Sequence, residues 1–571
     1  KRIIDKIYKK FNKKIIIRSS ASDEDQFNNS QAGKYTSVLN IDSNNKEKIE
    51  ESIKKVIKSF KNKGNKNEIF VQRFLSDIEF SGVITTCDIT NYSPYYVINY
   101  FKGKDTAAIT SGNNKGKTQL ISKYKTPNKK FVKVINLAKE LEQKFKNNFL
   151  DIEFGVSKKK LYLFQVRPLT SIDKNETIDY KTILKKLEKK INKLKKQNHN
   201  LYGKTTFFGV MPDWNPAEII GIKPKPLSLS LYKELITDRV WALNRKDYGF
   251  KDMSNNQLMT NFFGTPYIDV RVDFNSWIPG NLNKKLSEKL VNYYLKQFYK
   301  SKSLHDKIEF EILLTCYSPL TLEKIKSLKE NGFSKVEINK IVNSLKKINQ
   351  LVIKNSKKNR KMINQLQIKQ DQIIKSKMYY IDKIHWLIED CKKFGTYPFA
   401  GDARAAFCAI EILNGFVKKK ILTENEKERF ISSLKTVTSE MQIDFHNLNK
   451  NKFLLKYGHL RPNTYEIDSL NYREGYKIYF DKKLNKNIDF KKIGMTFTQK
   501  QKQQIKKFIK NSNLNISFEN FIKFLKESIK NREYTKFIFT KSINLVLKIL
   551  LFIAKRFNIK REDISYLNIQ D

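Results

Sequence analysis

Cysteine is almost missing from this sequence, with Cys87, Cys316, Cys391 and Cys408 the only four in 571 residues. They are scattered, form no C-x-x-C pair and have no histidine at metal-ligand spacing, which argues against a disulfide framework and a zinc site. A reducing compartment, the cytoplasm, is the simplest expectation. Glycine and proline are also sparse, at 20 and 12 residues, so long stretches run without a helix breaker. The longest apolar run, INLVLKILLFIA at 543–554, is interrupted by Lys548. It falls short of the roughly 20 residues a membrane span needs, and it reads as a buried helix. Residues 1–17 lack the ordered charged, apolar and small-residue blocks of a secretory leader. The chain opens without methionine on a helix and runs straight into a motif, which reads as a fragment that has lost its start.

Acidic residues are outnumbered as well: 58 Asp and Glu stand against 111 Lys and Arg, a formal charge of +53. Binding to a phosphate backbone would concentrate that charge on one face. Here the lysine is spread along the chain among isoleucine and asparagine, as on solvated helix faces, and a specific nucleic-acid groove is the least favoured reading. The chain does have the material for cores: 40% of residues are hydrophobic, including 39 Phe and 27 Tyr, too many for a disordered chain. A length of 571 residues predicts about three domains.

Residues 1–172 alternate β-rich runs with helices. The reading has a strand at 13–20, a helix at 46–62, paired strands at 69–75 and 82–87, and a hairpin of 149–154 with 161–166 across GVSKKK. Residues 173–200 form a charged helical connector with an apolar stripe at 183, 184, 187, 191 and 194. The Pro-rich stretch 207–232 predicts irregular backbone until about Leu229. Beyond it, 201–571 is mostly amphipathic helix, and 340–380 suggests a long antiparallel helical pair. The fold class is α+β, with a nucleotide-binding domain at 1–172 followed by a largely α-helical central domain.

Arginine is scarcest of the basic residues, 15 of 111, so each one invites a reason. Its planar fork grips phosphate or carboxylate in a bidentate way that lysine cannot reproduce. In DIEFGVSKKKLYLFQVRPLT, residues 151–170, Gln165 and Arg167 are two apart on a strand and face one side, and a hairpin brings Glu153 beside them. A carboxylate and an amide oxygen suit Mg2+, with the arginine on phosphate oxygens. A surface hairpin with an ion pair is the alternative. Upstream, Arg18 ends a strand before SSASDED, with NSQAGKY at 29–35, a loop able to offer N–H groups and hydroxyls to an anion.

Together RSSAS at 18–22, VQRF at 71–74 and LDIEF with LFQVRPLT at 150–170 resemble, in order and spacing, the nucleotide-binding domain of the phosphoenolpyruvate synthase and pyruvate phosphate dikinase family. The resemblance spans residues 14–172. It implies an ATP-grasp-like fold, ATP and Mg2+ as cofactors, Arg18 and Arg167 on phosphates and Glu153 and Gln165 on the metal, with Gln72 and Arg73 near the nucleotide. Residues 213–238, 266–279, 399–407 and 457–467 look like the central domain of capsule-associated members, above all the glutamine kinases. Relatives of the same layout include an antibiotic-phosphorylating enzyme.

The resemblance implies that ATP pyrophosphorylates a carrier histidine. Loss of inorganic phosphate then leaves a phosphohistidine that phosphorylates the amide of L-glutamine, with AMP as the other product. None of His199, His305, His385, His446 or His459 sits in the family's Thr/Ser-x-His-Ala context. The carrier domain is therefore expected downstream of REDISYLNIQD or in a separate chain. Asp269 with Arg271, read as one face of an apolar strand, Asp402 with Arg404, and His459 with Arg461 are candidates for holding the acceptor's ammonium and carboxylate, with internal ion pairs as the alternative. Asp213-Trp214-Asn215 reads as a structural loop. The other readings are a phosphoenolpyruvate synthase, another small-molecule phosphotransferase, or a noncatalytic scaffold.

Overall fold

The computed structural model describes residues 2–20, 25–26, 29–30, 36–60, 67–75, 77–90, 92–102, 116–125, 129–169, 179–196, 200–210, 215–301, 311–480 and 495–570. The chain divides into two compact units, Lys1–Lys189 and Lys190–Asp571.

The first unit is built around two antiparallel sheets, each with helix on one face, and a two-stranded ladder of Asp25–Gln26 with Asn29–Ser30. In the smaller, Lys14–Ser20 lies between Val38–Asp42 and Glu68–Arg73. Ile15 and Ile17 have no exposed surface and pack with Ile7 of helix Arg2–Lys10 and Ile49 and Val56 of helix Lys46–Ser59. Burial of each such side chain is worth ~1.5–3 kcal/mol. Asn45 starts the second helix by accepting from the Lys48 N–H, which satisfies one orphan donor of the first turn.

The larger sheet has the order Lys160–Pro168, Leu150–Ser157, Phe80–Thr85, Tyr95–Lys102, Lys117–Ser122. Leu150, Ile152, Phe154, Ile84 and Ile98 form its covered face with Val134, Ile135, Ala138 and Leu141 of helix Val132–Phe145. The strands at 68–73 and 80–85, expected to pair with each other, belong to different sheets. Sequence neighbours alternating at the same period carry no information on which partner each one takes. The hairpin is longer than expected: its turn is Lys158-Lys159, both at positive φ, 50° and 64°, as a two-residue type I′ turn requires. Gly155 is mid-strand.

The second unit is α-helical around a small three-stranded sheet of Phe208–Gly209, Thr265–Asp269 and Met259–Phe262. Its three longest helices, Lys335–Lys375, Tyr397–Lys418 and Phe518–Arg556, pack against one another. The expected antiparallel pair within 340–380 is instead one helix of 41 residues, Lys335–Lys375, opened by a Ser334–Glu337 capping box. The chain turns only after Lys375, before helix Tyr380–Cys391. The Pro-rich stretch holds two short helices, Pro216–Ile220 and Pro226–Tyr232, each with proline in its first turn. There the missing N–H costs nothing and the fixed φ favours initiation. Asn215 caps the first through the Glu218 N–H, whereas Asp213 and Trp214 lie outside the described residues.

Among the described residues, Phe518–Arg556 alone is long and apolar enough to cross a membrane by length and composition, and more than half of its apolar window is buried against the rest of the protein. Ile538, Phe539, Ile543, Val546 and Leu547 join Leu366, Leu387 and Tyr232 in one core.

Candidate functional site

The uncovered face of the larger sheet follows from strand alternation. Since Leu150, Ile152 and Phe154 point to the helix, Asp151 and Glu153 must point away from it. On the paired strand, Gln165 stands directly opposite Glu153, and Arg167 opposite Asp151. A β-bulge between Leu163 and Gln165 sets this register. It inserts Phe164, whose ring lies over Gly155, only 2.5 Å from where a Cβ would stand. Any side chain there would displace the ring.

Arg18 reaches this hairpin from the other sheet. Its Nη1 donates to the Phe164 carbonyl at 3.3 Å, across 146 residues of sequence. Gln72, opposite Ile16, shares the Arg18 face of the smaller sheet, as does Phe70, opposite Arg18. Arg73 pairs with Ile15, is exposed and stands on the alternate, helix-covered side. The structure thus associates Arg18, Gln72, Glu153, Gln165 and Arg167 with uncovered sheet faces and separates Arg73 from them. Residues 21–24 and 31–35, the expected anion-binding loop, lie outside the described residues.

Asp151 is the member of this face that the sequence reading passed over. The alternation that pairs Gln165 with Arg167 would have found it, two residues before Glu153. Burial raises its carboxyl above the usual range, the neighbouring Glu153 raises it further, and the Arg167 guanidinium partly offsets both. Its Oδ1 is buried with no hydrogen-bond partner. Two carboxylates and an amide oxygen form a hard donor set suited to Mg2+, and a cation would relieve the crowded negative charge. Among the described residues no group of three or more His, Cys, Asp and Glu gathers to hold a metal, so the amide of Gln165 is needed to complete this set.

In the second unit the expected pairs come apart. Asp269 and Arg271 do not share a strand face: Asp269 caps helix Val270–Ser276, accepting from the N–H groups of Arg271 and Val272. Arg271, 1% exposed, donates from Nη2 to the carbonyls of Leu194 and Lys196 at 2.9 and 3.1 Å, closing the C-terminal end of helix Tyr180–Lys195. Asp402 and Arg404 are two apart within helix Tyr397–Lys418, about 200° around its axis, and face opposite ways. Asp402 accepts from Asn359 at 2.8 Å and Thr535 at 2.6 Å, and burial pushes its carboxyl up to about 6. Arg404 donates to Thr315 and to the Cys408 sulfur. That sulfur also interacts with Cys316, so two cysteines distant in sequence meet without a disulfide. His459 contacts the Phe537 carbonyl at 3.0 Å, and burial pulls it down to about 4. Arg461 holds its own turn through the carbonyls of Glu466 and Ser469.

Arg404 and Arg461 nevertheless line one cavity of about 680 Å3, and Asp269, Arg271, Asp402 and His459 do not. Arg245 and Arg532, which also line it, escaped the sequence reading although the scarcity of arginine that singled out Arg167 applied to them equally.

The first unit is thus an α+β domain with a polar, partly acidic face served by two arginines, an arrangement fitted to a metal-bound phosphate ligand. Residues 1–109 match the family model of the pyruvate phosphate dikinase, AMP/ATP-binding domain, a nucleotide-binding domain. The match ends before the hairpin at 150–168. No curated protein matches the chain.

Proposed function

We propose that this chain serves an ATP-dependent phosphotransferase of the phosphoenolpyruvate synthase and pyruvate phosphate dikinase kind, with ATP-grasp-like nucleotide binding in the first unit. The observation that carries this reading is the approach of Arg18 to the hairpin that presents Asp151, Glu153, Gln165 and Arg167. The family match over residues 1–109 supports it independently. Arg167 and Arg18 grip phosphate oxygens, where a guanidinium fork gives both charge and direction. Glu153 and Gln165, with Asp151, would hold Mg2+, which would neutralise phosphate charge. Gln72, on the Arg18 face, orients the nucleotide. Phe164 covers Gly155 and keeps that end of the face dry.

The transferred group passes to a histidine carrier outside this sequence and from it to a small-molecule acceptor, for which the amide of L-glutamine is the first candidate. A carrier is the economical solution where donor and acceptor sites are separate. The test is nucleotide turnover in enzyme completed with its carrier histidine: AMP and inorganic phosphate formed with L-glutamine support the reading. ADP as product would contradict the dikinase chemistry. AMP with pyruvate but not glutamine would keep the chemistry and overturn the acceptor.

A further inference from the structure

Helices Lys335–Lys375, Tyr380–Cys391 and Phe518–Arg556 pack on one another, and one end of each meets the others. The Tyr380 ring centroid lies 4.7 Å from that of Phe552, while the Cys391 sulfur faces the Phe539 carbonyl at 3.9 Å, so the last two helices run antiparallel. The turn that follows Lys375 therefore sits beside the final turn of Phe518–Arg556. Lys383 ties that turn down by donating to the Ile374 carbonyl at 3.1 Å.

This helix end is apolar where water reaches it. Tyr379 is 83%, Ile381 66% and Phe557 71% exposed, and Met378, Phe552 and Ile559 are exposed near them. Single exposed apolar side chains are ordinary, but several gathered at one place mark a contact surface. The core side of the same helices is already filled, by Ile373, Ile384, Leu387, Ile549 and Ala554. The charge is as one-sided as the polarity. Residues 374–386 and 552–560 contain Lys375, Lys377, Lys383, Lys555, Arg556 and Lys560 against a single carboxylate, Asp382. The Arg556 guanidinium lies 4.7 Å from the Phe552 ring centroid and 5.4 Å from that of Tyr380, so cation and rings share one level. Rings and aliphatic stems tipped with positive charge suit the boundary between acyl chains and anionic headgroups.

We propose that this helix end docks on an anionic lipid surface, with Tyr379, Ile381 and Phe557 entering the headgroup layer while the surrounding lysines and Arg556 meet the lipid anions. Charge decides the occupant. A second copy of the chain would set this cationic patch against itself across a two-fold axis, whereas anionic headgroups neutralise it. Helix Phe518–Arg556 stays in the protein, since more than half of its apolar window is buried there, and only its end is offered to the lipid. The inference rests on the second unit alone and stands whether or not the first unit transfers phosphate.

Co-sedimentation of the full chain with vesicles tests it, at about 0.15 M salt to screen diffuse attraction. Vesicles of phosphatidylcholine with about one third phosphatidylserine should bind the protein at least tenfold more tightly than phosphatidylcholine alone. Because a formal charge of +53 draws the chain toward any polyanion, the deciding variant keeps the charge. Tyr379→Ser, Ile381→Ser and Phe557→Ser combined should weaken binding at least tenfold and leave the thermal midpoint unchanged. Lys375→Gln, Lys377→Gln and Arg556→Gln combined should also weaken it. The same number of charges removed elsewhere, by Lys285→Gln, Lys296→Gln and Lys300→Gln at exposed positions of helix Lys284–Lys300, should leave binding as in wild type. Wild-type binding by the serine variant, or equal loss in the two glutamine variants, would overturn the proposal. So would a dimer in light scattering that the serine variant abolishes, without vesicle binding.

Discussion

Glu153 stands directly across the hairpin from Gln165, on the face of the sheet turned away from helix Val132–Phe145. One register step in either direction would turn Gln165 into the helix-packed core, because side chains alternate with period two. The bulge at Phe164 therefore decides whether an oxygen donor pair exists at all.

Removing one oxygen donor should cost binding and spare the fold. Glu153→Gln is expected to lower Mg2+-dependent ATP affinity at least tenfold with an unchanged thermal midpoint. Asp151→Asn should do the same while raising the midpoint at neutral pH. The Asp151 carboxyl titrates above its ordinary value in the folded state, so the charged form is disfavoured by folding and its loss is a gain. Titration calorimetry alongside thermal melts checks both, and a lowered midpoint for Asp151→Asn would contradict the charge argument.

Arg167→Lys keeps the charge and removes the fork. A drop of at least tenfold in ATP affinity with a normal melt is expected. Affinity equal to wild type would return the hairpin to a purely structural role.

Gly155 has no room for a methyl group beneath the Phe164 ring. Gly155→Ala should cost about 1–3 kcal/mol, as overpacking does. By moving Phe164, whose carbonyl receives Arg18, it should also weaken ATP binding. Chemical denaturation and nucleotide titration on the same sample report the two effects, and a stable variant with normal binding would count against a fixed ring.

Two buried groups in the second unit give opposite pH dependences. Asp402 is raised from 3.8 to about 6 by burial, so its contribution to stability is full below about pH 4 and is lost as pH rises through 6. His459 is lowered from 6.5 to about 4, so its contribution is full above pH 6.5 and is lost as pH falls toward 4. Each amounts to about 3 kcal/mol. Relative to wild type, Asp402→Asn should gain stability as pH rises across this window, and His459→Gln should gain as it falls. Urea midpoints measured from pH 4 to 7 check the two trends, and differences that do not vary with pH would contradict them.

The hairpin face was legible from the sequence because strand alternation is strict and local, so Gln165 and Arg167 had to share a side. Asp151 was equally legible by that rule and was overlooked. Strand pairing was not legible, since 68–73 and 80–85 look alike yet enter different sheets. Nor was the strand of Asp269 and Arg271, which bends into a helix at Asp269 because that side chain caps it. Asp402 and Arg404 failed for a related reason: spacing of two means one side on a strand and opposite sides on a helix. The central cavity draws on residues from 215 to 540, and no local pattern announces a convergence of that range.

The central claim is that the first unit binds ATP through a metal held on the hairpin face. Calorimetric titration of ATP into the full chain, with and without Mg2+, tests it most directly. The account predicts one saturable site per chain, at least tenfold tighter with Mg2+, and loss of that metal dependence in Glu153→Gln and Gln165→Met. ATP binding that ignores both Mg2+ and these substitutions would contradict it.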